Sequence, residues 1–183
     1  MSEYSQYPWY AVVPSTMKLV QGDLVLSCPI FVPSDPSTVG EDVIPGEIVD
    51  YDVIVMSQSC DLEYNKIELV LVCPVHTLDE FAEENPAYRD PNQKEAIRRG
   101  YVAGLHLLNQ CAHSSFESKF LVVDFRNVYG VQYGFLKEFV AKAGDRVRLL
   151  PPYREHLSQS FARFFMRVGL PLDIPPFNGK KTN

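Results

Sequence analysis

The sequence predicts an α+β domain built around a small, strongly curved antiparallel β-barrel, with an inserted helical segment and a C-terminal amphipathic helix. Two observations carry that expectation. Short β-prone runs are separated by Gly, Pro, Asn and Asp clusters at hairpin-like intervals, and the helical periodicity is confined to a central stretch and to one run near the end. At 183 residues the chain is long enough to bury one core without disulfide staples. We therefore expect a single domain over residues 1–177, with the helical insertion at about 77–112 and a tail at 178–183.

Taken in order, Tyr7 to Pro14 is an aromatic, β-prone opening whose flanking prolines suit an edge strand or an arm. Gly22-Asp23 marks entry into a strand from Leu24 to Val32. The stretch from Pro33 to Pro45, rich in Pro, Ser, Gly and acid, reads as an exposed loop. Ile48 to Ser57 and Ile67 to Val75 are the most apolar strands, joined by a polar connection of hairpin-like length. Thr77-Leu78-Asp79-Glu80 has the capping-box form, so a short helix should start at Thr77 and end before Pro86. Ile97, Tyr101, Leu105 and Leu108 fall on one helical stripe, which predicts a second helix from about Asn92 to Asn109. Strands follow at Phe120 to Phe125, Val128 to Phe135 and Arg146 to Leu150, the last after a Gly144-Asp145 turn. Pro151-Pro152 then opens a helix from Tyr153 to Val168. Leu157, Phe161, Phe164, Phe165 and Val168 form its apolar stripe, with Phe161 and Phe165 expected in the core, and Gly169 and Pro171 stop it.

Composition excludes several classes. An apolar fraction of 46% and a charged fraction of 22% suit a globular chain rather than a disordered one. No apolar run reaches a membrane span, and Met1 to Gln6 carries no basic leader, so a cytoplasmic protein is expected. Cys28, Cys60, Cys73 and Cys111 are widely spaced and read as reduced thiols. From Leu19 to Asn65 there are nine acidic residues and no Lys or Arg, whereas nine basic residues face four acidic ones from Lys137 onward. An acidic first third disfavours a nucleic-acid groove there, leaving the C-terminal helix as the place where one would form.

The order Gly22-Asp23-Leu24-Val25, long loop, Val53-Ile54-Val55-Met56-Ser57, Leu69-Val70-Leu71-Val72-Cys73-Pro74-Val75, two later strands and a C-terminal helix resembles the MazF/PemK group of SH3-like barrels. The resemblance implies a toxin-endoribonuclease scaffold over about Lys18 to Leu170. It also implies an Arg before the second strand and a Thr after the third as the cleavage residues. This chain has Tyr51-Asp52 and His76 at those places. An acid in place of a cation destabilises the charge that builds on phosphorus, so the resemblance predicts an inactive relative.

Candidate residues follow from these readings. Ser57-Gln58-Ser59-Cys60-Asp61-Leu62 is the most distinctive segment. Cys60 with His76 forms an alternative nucleophile and base pair, and Cys60, Cys73 and His76 form an alternative metal set; the plainer reading is a strand-end turn in which Ser59 and Asp61 satisfy backbone N–H groups. His106, His113 and His156 are scattered, and no cofactor fingerprint is present. The favoured expectation is a non-catalytic, MazF/PemK-like accessory protein that binds a protein partner in a toxin–antitoxin or phage-defence setting. Its contact residues would be Trp9, Tyr10, Asp35, Glu41, Asp42, Arg163 and Arg167. A divergent endoribonuclease, a Cys60-dependent hydrolase and a nucleic-acid module on the C-terminal helix are the alternatives, and a homodimer stays open.

Overall fold

Alternating burial and turn chemistry produce an α+β chain with antiparallel strands and, among the described residues, five α-helices. The computed structural model describes residues 7–34, 40 and 45–166. Strand β1 (Tyr10–Val13) pairs with β8 (Arg146–Leu149) in a two-stranded sheet. The larger sheet runs β2 (Leu24–Pro33), β3 (Gly46–Val55), β4 (Leu69–Thr77), β6 (Leu121–Asp124) and β5 (Leu105–Leu108), with β7 (Tyr129–Gln132) also paired to β4. Every pair is antiparallel. β4 is the hub. Its first half pairs with β7 and its last three residues with β6, while Val72–Pro74 pair with β3 on the opposite edge.

Helix α1 (Ser59–Glu63) follows β3, and α2 (Leu78–Glu84) follows β4. α3 (Pro91–Arg98) precedes β5, α4 (Tyr133–Ala143) follows β7, and α5 (Tyr153–Phe165) follows β8. The expected capping box is present at Thr77: its side chain accepts the Glu80 N–H, and Glu80 accepts the Thr77 N–H. One apolar core gathers Leu24, Ile54, Val123, Phe125, Leu149 and Leu157 between the sheets and α5. A second packs Val25, Cys28, Val53, Val70, Leu136 and Val140 between the large sheet and α4.

Hydrogen-bonded strands do not close into a ring among the described residues, so the sheets stay open where a closed barrel was expected. β2 and β8 meet at one bridge, Asp23 to Arg148, and then diverge. Leu24, Leu26, Val140 and Val147 line the slot between them. A buried ion network holds the junction. Asp23, fully buried, accepts Arg146 Nε at 2.8 Å, Arg148 Nη2 at 3.0 Å and the Val20 N–H at 3.1 Å. The same guanidiniums donate to the carbonyls of Met17 and Lys18, tying the incoming loop to β8. Gly22 has φ +86°, and a Cβ there would lie 3.3 Å from the Leu149 carbonyl oxygen, so glycine is required where the chain turns into this network.

Several expectations are corrected. The connection after β3 is helix α1. The helix expected from Asn92 to Asn109 stops at Arg98, because Gly100 takes φ +71° and the chain re-enters as strand β5; Tyr101 is exposed. The strand expected to reach Phe135 ends at Gln132, whose Oε1 accepts the Phe135 N–H at 2.6 Å and starts α4. On α5, Leu157 is fully buried and Phe161 and Phe164 are half-buried against Phe125, but Phe165 is exposed. One stripe of i, i+4 and i+7 faces the core and Phe165 falls outside it. The end of that helix at Val168 and the tail at 178–183 lie outside the described residues. No helix among the described residues is long and apolar enough to cross a membrane.

Candidate functional site

The Ser57–Asp61 segment leaves the end of β3 and is shaped by backbone demands. Ser57 Oγ accepts the Leu71 N–H at 2.8 Å, and Ser59 Oγ accepts the Gln21 N–H at 3.2 Å. Both serines thus serve as surrogate strand and loop partners, which holds the turn against β4 and against the loop before β2. The expected role of Ser59 is observed. The role expected of Asp61 belongs to Ser57, while the Asp61 carboxylate lies 3.8 Å from both Lys66 Nζ and Cys60 Sγ.

Behind the turn lies a cleft of about 470 Å³, lined by Gln21, Met56, Ser57, Gln58, Asp61, Ile67, Leu69, Leu71, Ser158, Phe161 and Ala162. Its polar wall is made by three side chains from three elements. Gln21 Nε2, buried, donates to the Met56 carbonyl at 2.7 Å and to Ser158 Oγ at 3.5 Å, and Gln58 Nε2 donates to the same Ser158 Oγ at 3.3 Å. Neither carboxamide oxygen accepts a hydrogen bond among the described residues. Two acceptors therefore remain for an occupant. The opposite wall is apolar, with Leu69 58% and Leu71 41% exposed. Leu71 and Phe161 also line a neighbouring groove of about 510 Å³ with Phe125, Arg126, Val128, Phe164 and Phe165. Arg126 is held there by paired hydrogen bonds to the buried Asp124.

The alternative catalytic pair does not converge. Ser57, three residues before Cys60, bonds to Leu71, whereas His76 lies five residues beyond Leu71 along β4, about 16 Å from Leu71 at the usual strand rise. Cys73 is buried and its thiol is pushed up to about 12 by desolvation, so it is no thiolate donor. Among the described residues no three His, Cys, Asp or Glu side chains gather to hold a metal. The Cys60, Cys73 and His76 set is accordingly not assembled.

His76 instead shares a neighbourhood with Asp52 and Glu80. Burial raises the Asp52 carboxyl, partly offset by a hydrogen bond from the Ser27 N–H at 2.9 Å; Glu80 raises it further and His76 lowers it. Tyr51 stacks on Tyr129 at 5.5 Å. Asp52 and Glu80 thus place two carboxylates in the neighbourhood of His76.

Of the contact residues expected from the sequence, Trp9 is stacked on Tyr153 at 3.6 Å, and Tyr10 donates from its hydroxyl to the Asn109 carbonyl at 2.7 Å. Both are half-buried parts of the fold, and they line an open groove of about 590 Å³ with residues 109–114. Arg163 is exposed on α5, as expected. Asp35, Glu41, Asp42 and Arg167 lie outside the described residues. Sequence reasoning missed Gln21, Leu69, Leu71 and Ser158. The available signals were a glutamine directly before Gly22-Asp23 and a serine interrupting the apolar stripe of α5.

Comparisons of the chain with protein-family models, with curated proteins and with solved structures find no match in any of the three.

Proposed function

We propose that this chain is a non-catalytic protein-binding module, and that its partner seats an apolar side chain in the cleft between β4 and α5. The observation that carries the reading is the cleft itself: exposed Leu69 and Leu71 face two glutamine carboxamides with spare acceptors, in a volume suited to a side chain and its flanking peptide group. Exposed Phe165 and Met166 extend the apolar strip along α5. Reading the open sheets as a divergent MazF/PemK-like barrel rests on the strand order and on the motifs named above. The toxin–antitoxin or phage-defence setting comes from the same resemblance. Under it, the protein acts as an accessory that has exchanged the cation and hydroxyl of the cleavage site for Asp52 and His76.

The test places a photo-crosslinking amino acid at Leu69, at Leu71 or at the remote, exposed Tyr101, in the native host. Discrete protein adducts from positions 69 and 71, lost on Phe161→Asp and absent at 101, are the expected result. Equal adducts at all three positions would remove the cleft from the function. So would cleavage of a long unstructured RNA by the purified chain, if a single substitution in this chain abolished it.

A further inference from the structure

The pairing register of β3 leaves one of its edges open. Pro29 and Pro33 of β2 sit opposite Asp50 and Gly46. A proline has no N–H, so these are the non-hydrogen-bonded pairs of the ladder, and β3 bonds to β2 through Glu47, Val49 and Tyr51. The Val55 N–H, which donates to the Asp23 carbonyl, keeps the same parity. The N–H and C=O groups of Gly46, Ile48 and Asp50 consequently point away from β2. On that side β4 pairs only with Val53–Val55, because after Pro74 it bends away to meet β6. No hydrogen bond from the described residues reaches this edge.

The sister edge differs. The outward positions of β2 are Pro29, Phe31 and Pro33, so two of three donors are missing and the edge is blunted in the usual way. β3 has no such protection. Its exposed side chains include Ile48, 72% accessible, opposite Phe31, 56% accessible. Around them stand Glu47, Asp50 and Asp52, with Glu80 of α2 within electrostatic reach of Asp52, and no Lys or Arg occurs from Leu19 to Asn65. Lys119, which pairs with Glu117, feels Asp79 and Glu80.

We propose that the β3 edge over Gly46–Asp50 is a strand-addition site for an extended, basic peptide segment of a partner protein. Main-chain bonds to Gly46, Ile48 and Asp50 supply the ladder, the Phe31 and Ile48 pair supplies an apolar contact, and the acidic border selects Lys or Arg. A second copy of this chain fits poorly. Antiparallel pairing of two β3 edges sets Glu47, Asp50 and Asp52 against their own kind, and like charges across a ladder are destabilising. This surface lies apart from the cleft at Leu71, and the inference goes beyond the function proposed for that cleft.

The probe is a fluorescein-labelled, acetylated and amidated octapeptide of alternating lysine and valine, followed by anisotropy with the full chain. Binding at least tenfold tighter than that of the glutamate–valine counterpart is expected. N-methylation of every peptide bond keeps the charge but removes the N–H donors, and should weaken binding at least tenfold. Ile48→Pro deletes the central outward N–H of β3 without touching a bond to β2 and should do the same. Leu71→Asp should leave it unchanged, which separates this site from the cleft. Binding that depends on charge but is indifferent to N-methylation overturns the proposal, as does a dimer in solution that Ile48→Pro dissolves.

Discussion

Replacing Asp23 tests whether the ion network at the β2–β8 junction holds the fold together. Its carboxylate has no solvent exposure, and the Arg146 and Arg148 side chains are 5% and 13% exposed. Asp23→Ala removes the shared acceptor and leaves two guanidiniums in a buried site, together with an unpaired Val20 N–H. Breaking a buried pair in this way costs about 3–5 kcal/mol, a large part of the roughly 5–15 kcal/mol that stabilises a domain. For a chain of this size each kcal/mol moves the melting point by about 2–4 °C, so a fall of about 6–20 °C is expected by calorimetry. Asp23→Asn keeps the shape and removes the charge, and should recover only part of the loss. Because the pair is shielded from ions, the deficit should persist at high salt. A loss below about 1 kcal/mol, or one that vanishes in salt, would place the network among surface ion pairs and refute the argument.

Two further perturbations read the core and its titration. Leu157→Ala should cost about 2–5 kcal/mol because the side chain is fully buried, whereas Phe165→Ala should change the melting point little; urea titration of the two variants decides whether α5 docks through Leu157. His106, stacked on Phe125, is held down to about 4 by burial first and by His156 second, so the fold prefers it neutral. The unfolded chain takes up the proton near pH 6.5, so this stability is complete above that pH and is lost as pH falls toward 4, by up to about 3 kcal/mol. His106→Leu should flatten that part of the pH–stability curve, and an unchanged slope would count against the assignment.

Much of the fold is legible in the sequence because local chemistry and tertiary demand agree. The alternation from Leu24, the apolar runs at β3 and β4 and the Thr77 capping box each announce the element that forms. Reading fails where a helical period and a strand share residues. Ile97, Tyr101, Leu105 and Leu108 keep helical spacing, but Gly100 breaks the chain and Leu105–Leu108 gain ladder bonds to β6 instead. Tyr133-Gly134-Phe135 carries β-prone aromatics, yet the Gln132 side chain caps a helix whose buried Leu136 and Val140 lie one turn apart. The candidate site was half legible. Its serines and Gln58 belong to one distinctive segment, while Gln21 and Ser158 are 137 residues apart in the chain and meet only through the docking of α5.

The distribution of hydrogen bonds suits the distinctive segment to the recognition role proposed above rather than to nucleophilic chemistry. Ser57 and Ser59 are spent on the N–H groups of Leu71 and Gln21, and Cys60, although exposed, has a carboxylate neighbour at 3.8 Å and no imidazole within reach. A nucleophile needs a base within about 3 Å, and the histidine that could serve stands at the far end of β4. What the cleft has in surplus are the carboxamide oxygens of Gln21 and Gln58 and an apolar wall, the groups that the proposed peptide contact needs. The β3 edge repeats the pattern in main-chain form, with unspent donors and acceptors beside an acidic border. Exposed leucine, isoleucine and phenylalanine are what costs free energy in water, while the spare donors and acceptors beside them are hydrated and would only exchange water for an occupant; both surfaces present that combination.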